Sequence, residues 1–142
     1  MSSEYTLITH FPQKLLILRI ICAKITIIMN IPNADHAIVD IEKLRYYCLN
    51  LDHSRGKHKA RFFEAMLGLT ANDAEELRQA LLNVVGTHRA VMVDQDKYGK
   101  RYVIDFTMKR STRTAKVRSS WIIRNDEDFP RLTSCYILKK EK

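Results

Sequence analysis

Glycine and proline are scarce in this 142-residue chain, at four and three residues. So few glycines leave little loop material for a nucleotide cradle, and neither GxGxxG nor GxxxxGKS/T occurs. GxSxG, HExxH and CxxC are missing as well, which removes the hydrolase elbow and the zincin helix. Any enzyme built on this chain has to work without a nucleotide cofactor or a tightly held metal. The three cysteines, Cys22, Cys48 and Cys135, are an odd number without paired spacing. They argue against a disulfide framework and a zinc cluster and favour a reducing compartment, here the cytoplasm. Long apolar runs are absent too. Leu15 to Met29 is apolar for only 15 residues and is broken by Arg19 and Lys24, too short and too charged for a membrane span. Lys24 and the lack of an Ala-x-Ala exit also speak against a secretory signal. No internal repeat or low-complexity segment occurs.

What the chain does have is positive charge, +8 formally with a pI near 9.5. An anionic partner is favoured electrostatically, and RNA is the expected one. "MNIPNADHAIVDIEKL" from Met29 reads like a natural protein start. Residues 1–28 are therefore expected to be an N-terminal extension, and residues 29–142 a single domain. Removing the extension takes a net +2 from +8 and leaves +6, so the basic character belongs to the domain.

Three helices are predicted first. Asp40 caps a helix over "IEKLRYYCLN"; a second begins in "HSRGKHKARFF" with Ser54 as cap and stops at Gly68; a third follows the Thr70/Asp73 capping box and stops at Gly86. The period then changes to alternation over "RAVMVDQ", "KRYVIDFTMK", "TAKVRSSWIIR" and "RLTSCYILK". Short turns at "DKYG", "RSTR" and "NDEDFP" require antiparallel neighbours. The fold class expected is thus α+β: about three N-terminal helices packed on a four-stranded antiparallel β-meander. One sheet face, with Tyr102, Ile104, Phe106 and Trp121, covers the helices, while the other shows Lys116 and Arg118 to solvent, either as a nucleic-acid platform or as an ordinary solvated face.

The stretch His53 to Phe63 places six basic or imidazole side chains in nine positions before two phenylalanines. On a helical wheel Lys57 and Arg61 fall on the solvent side, but Lys59 falls amid Ala60, Phe62, Phe63, Met66 and Leu67. An unpaired ammonium does not enter a core. Lys59 therefore either snorkels from the first turn of its helix or projects into a polar cleft where His53 and the backbone near Gly56 help to hold an anion. Arg131 and Thr133 share one side of the last strand, and Tyr136 follows. His10, His36, His58 and His88 have no partner at metal-ligand spacing and read as surface or structural residues.

Several of these segments, "IPNADHAIVDIEKLRYYCLN", "HSRGKHKARFFEAMLG", "YGKRYVIDF", "VRSSWIIR" and "DFPRLTSCYIL", together resemble an uncharacterised family of domains of unknown function common in cyanobacteria and other bacteria. The family pattern is His-x-x-Gly-x-x-Lys-Ala-x-x-Phe, matched here by His53, Gly56, Lys59, Ala60 and Phe63. Ser54 stands where many relatives carry proline. Several members resemble toxin modules of toxin–antitoxin or polymorphic-toxin systems, and the element order is similar to that of small bacterial ribonuclease toxins. The resemblance implies a small metal-independent ribonuclease without cofactors, inhibited by a cognate acidic antitoxin protein. His53 would then move the proton and Lys59 and Arg131 would neutralise the phosphorane, with Thr133 completing the catalytic set. Gly56, Arg118, Trp121 and Tyr136 would bind substrate, Trp121 by stacking a base. The alternative is a noncatalytic nucleic-acid-binding or protein-interaction module. Whether the chain is an enzyme stays open at this point, as does homodimer formation through its apolar strand edges.

Overall fold

Asp40 ends an extended segment and its carboxylate accepts the backbone N–H of Glu42 at 2.9 Å, which starts the first helix where the sequence requires it. The computed structural model describes residues 27–139. It shows an α+β fold, with helices on one face of a five-stranded antiparallel sheet of order β1-β2-β3-β4-β5. α1 (Ile41–Lys43) passes directly into a π-helical segment, Leu44–Cys48. α2 is Lys57–Leu67 and α3 is Ala74–Thr87. The strands are β1 (Ile27–Met29), β2 (Ala90–Asp96), β3 (Gly99–Arg110), β4 (Arg113–Arg124) and β5 (Arg131–Ile137).

The four-strand meander is present, and β1 adds a fifth strand by pairing Ile27, Ile28 and Met29 with Met92, Val91 and Ala90. This pairing draws Ile27 and Ile28, the end of the expected extension, into the sheet; residues 1–26, and Cys22 and His10 with them, lie outside the described residues. One of the helix ends differs from expectation. The Thr70/Asp73 capping box forms as predicted, but α3 runs through Gly86 to Thr87. Gly68 does end α2, in the left-handed conformation that glycine adopts without a Cβ penalty.

Alternation divides the sheet as predicted. Tyr102, Ile104, Phe106 and Met108 of β3 and Ala115, Val117, Ser119 and Trp121 of β4 are buried beneath the helices with Leu44, Phe63, Leu77 and Leu81. Asp105, Thr107 and Lys116 face solvent. Ser119, the one buried polar residue among those described, satisfies two groups. Its hydroxyl donates to the Ile104 carbonyl at 3.0 Å and accepts the Trp121 indole N–H at 2.9 Å.

The arrangement of α2 against the sheet edge decides where a site can form. Ala60, Phe63 and Leu67 enter the core, whereas Lys59, Phe62 and Met66, one stripe further round the helix, lie over the edge strand β5. A bulge between Ser120 and Trp121 leaves Thr133 as the extra residue of β5 and increases the local bend there.

Candidate anion site at the β5 edge

Lys59 is half-buried and its ammonium donates to two neutral hydroxyls, Ser134 Oγ at 3.0 Å and Tyr47 Oη at 3.3 Å. No carboxylate among the described residues forms a salt bridge with it. The faces of Tyr47 and Tyr136 lie 5.1 and 5.6 Å from its nitrogen, a cation–π arrangement that partly replaces lost hydration. Its positive charge is therefore held in place without being neutralised. A cleft of about 650 Å³ opens beside it, lined also by Lys43, Tyr46, Tyr47, Thr133, Asp40 and Glu42. Lys43 reaches the backbone carbonyls of Thr133 and Leu132 at 3.3 and 3.5 Å, so two ammonium groups grip the edge of β5.

Below the cleft, the π-helical segment brings Cys48 against Cys135, and both are fully buried and unbridged. The Cys48 thiol is pushed below its ordinary value, chiefly by a hydrogen bond from Cys135, with the Cys135 N–H and then Lys59 and Lys43 assisting against burial. Cys135 is pushed up by the same hydrogen bond and by burial. These thiols fill the core and do not reach the cleft.

The other expected site residues are placed differently. His53 is half-buried, and its Nδ1 accepts the backbone N–H groups of Arg55 at 3.0 Å and Gly56 at 2.9 Å. It thus performs the capping that the sequence assigns to Ser54, and its ring stands edge-on to Tyr47 at 4.8 Å. Tyr47 touches both His53 and Lys59, but His53 does not line the cleft. Gly56 is close to protein, not to a ligand space: a Cβ there would strike the Tyr47 carbonyl, and its N–H is already used by His53.

Arg131 makes a two-pronged pair with Glu127, both contacts 2.7 Å, and lies over the Phe129 ring. This carboxylate holds the guanidinium above its ordinary pKa, and Arg131 does not line the cleft. Arg118 is forked onto Asp105 at 2.8 and 2.9 Å, and its pKa is raised by that hydrogen bond, with Tyr136 adding to the shift. Trp121 is fully buried and cannot stack a base. Thr133 does line the cleft, although its hydroxyl donates to the Ser120 carbonyl at 3.0 Å. Tyr136 stands beside Lys59 in a second cavity, and the imidazole in that cavity is His58.

The basic side chains differ in whether they meet a carboxylate. Arg78, Arg101, Arg110, Arg118, Arg124 and Arg131 all meet carboxylates. Lys43, Arg45, Arg55, Lys57, Lys59 and Arg61 form no salt bridge among the described residues. Arg55, Lys57, Lys59 and Arg61 crowd the start of α2 and concentrate positive potential there, while on the open sheet face Arg118 is paired with Asp105 and Lys116 with no carboxylate among the described residues.

Residues 30–139 match the model of the family described as a domain of unknown function, DUF6883. The chain belongs to the DUF6883 family. No curated protein and no solved structure matches it. The DUF6883 match includes every residue of the Lys59 cleft, from Asp40 to Ser134. Among the described residues no helix is long and apolar enough to cross a membrane.

Proposed function

We propose that the chain binds RNA through a phosphate at Lys59 and cleaves it without a metal, as the toxin of a toxin–antitoxin pair. The observation that carries this reading is an ammonium held in a cleft by two neutral hydroxyls and two aromatic faces, with no carboxylate in a salt bridge to it among the described residues. A phosphate brings the charge that Tyr47 and Ser134 do not. In the cleavage step the ribose 2′-oxygen forms a bond to phosphorus as the bond to the 5′-oxygen breaks. The 2′-hydroxyl proton leaves to a base and a proton is returned to the departing oxygen. His58 takes the first role, since it shares a cavity with Lys59 and Tyr136, and His53 spends its Nδ1 lone pair on the chain. Lys59 balances the charge that builds on the phosphorane oxygens.

A second reading, a noncatalytic RNA-backbone binder, is favoured by the engagement of Arg131 and Arg118 with carboxylates, which leaves few groups for chemistry. A single-stranded RNA and its 2′-O-methyl analogue separate the two. A ribonuclease binds both and cleaves only the first; Lys59→Ala weakens binding and loses cleavage, while His58→Ala loses cleavage alone. Binding of both without cleavage of either selects the second reading. No affinity for either overturns both.

A further inference from the structure

Phe62 and Met66 are apolar side chains on α2 that the core does not enclose; Met66 is 37% exposed. They look across at Ile137 and Leu138, where β5 ends, and the space between is a groove of two adjoining cavities, about 340 and 300 Å³. Both cavities share Phe62, Ile137, Leu138 and Lys139, so they form one trough along the sheet edge. Among the described residues, the charged and imidazole side chains along it are His58, Lys59, Lys116 and Lys139, and no aspartate or glutamate lines either cavity. β5 is the last strand of the sheet, and alternation turns the Ile137 N–H and carbonyl away from β4, because the Leu138 N–H is the one that bonds Lys116. Among the described residues, an apolar floor, a cationic rim and, at Ile137, an open strand edge thus coincide.

We infer that this groove docks an acidic, partly apolar peptide segment of a partner protein, with its apolar side chains on Phe62, Met66 and Leu138 and its carboxylates on Lys59, Lys116 and Lys139. Charge complementarity selects the occupant. A basic or neutral apolar segment would leave the lysines facing an apolar surface, whereas carboxylates satisfy them at the rim. Docking itself is independent of the RNA reading. Only its consequence rests on that reading: a bound carboxylate takes Lys59 from the phosphate, so partner and RNA exclude each other.

The probe is a labelled peptide of alternating leucine and glutamate, about eight residues or roughly 26 Å when extended. Controls replace every glutamate by lysine, or every leucine by serine. Fluorescence anisotropy is expected to show binding of the leucine–glutamate peptide and affinities weaker by about tenfold or more for both controls. Met66→Glu, which circular dichroism should show folded because the side chain is exposed, is expected to remove peptide binding and to leave affinity for single-stranded RNA unchanged. Equal binding of the serine–glutamate peptide, undiminished binding by Met66→Glu, or no binding at all overturns the proposal. So does self-association that Met66→Glu abolishes, which would assign the groove to a second copy of the chain. Peptide binding by a protein with no RNA affinity leaves this proposal standing and removes the RNA reading alone.

Discussion

The backbone at Gly56 passes against the backbone at Tyr47 so closely that a Cβ on residue 56 would overlap the Tyr47 carbonyl oxygen and stand 3.0 Å from its carbon. Gly56 has ordinary helical dihedrals, with φ −80 and ψ −15. Space, and not backbone freedom, is what requires glycine. This contact fixes the start of α2 on the π-helical segment and so positions Lys59 against Tyr47.

Gly56→Ala is therefore expected to destabilise the fold by about 3 kcal/mol, as overpacking against unyielding backbone does. Urea unfolding measures this, and a shift below about 0.5 kcal/mol would contradict the packing account.

A second expectation concerns Ser119 and Trp121. Ser119→Ala leaves the buried indole N–H without its acceptor, at a cost of about 1–3 kcal/mol. Because the indole is sealed in the core, its emission should be blue-shifted, resistant to iodide quenching and unchanged on adding RNA. Quenching by RNA would mean that Trp121 is accessible after all.

Alternation in β3 and β4 made the buried and exposed faces legible, because a side-chain period of two leaves little choice once one face is apolar. The capping box at Thr70 was equally readable. The strand at Ile27–Met29 was not, since three residues carry no period and their place is set by pairing with β2. The wheel marked Lys59 as the anomalous residue of α2, yet a wheel cannot show that its apolar face is split, with Phe63 in the core and Phe62 over a groove. Lys43, Tyr47, Ser134 and His58 were missed. Each reaches the site from a different element, and the only sequence hint was that His58 adjoins Lys59. The roles expected of Arg131, Arg118 and Trp121 depended on exposed or uncommitted side chains, and local spacing does not reveal that Glu127, Asp105 and Ser119 engage them.

The Glu127–Arg131 pair carries a pH signature. The guanidinium holds the Glu127 carboxyl below its ordinary value of 4.5. A carboxylate depressed in the folded state stabilises fully above its unfolded pKa, and that contribution is lost as pH falls through the lower folded value. Glu127→Gln should thus reduce stability at pH 7 and flatten its decline below about pH 4.5. Denaturation midpoints across pH 3–7 that shift in parallel for both proteins would show that the pair contributes no linkage.

Lys59→Met tests the held charge without removing the stem. Two neutral hydroxyl partners repay the ammonium only modestly, so stability should change by at most about 1 kcal/mol. Affinity for single-stranded RNA should fall, and the slope of log affinity against log salt should decrease by about 0.7, one phosphate's worth. An unchanged slope would mean that the ammonium serves only to grip β5.

The two histidines at the start of α2 are expected to separate cleanly. His53 accepts two backbone N–H groups through Nδ1, and asparagine can offer a carbonyl oxygen at a comparable capping position. His53→Asn should therefore keep both fold and RNA cleavage, whereas His53→Ala should lower stability by about 1 kcal/mol and affect cleavage only through that loss. His58 is exposed, makes no hydrogen bond among the described residues through its side chain, and lines the cavity of Lys59 and Tyr136. His58→Ala should leave stability unchanged and abolish cleavage. If single-turnover cleavage instead vanishes in folded His53→Asn and persists in His58→Ala, the proton is handled on the Tyr47 side of the lysine and the geometry assigned to the reaction must be reversed.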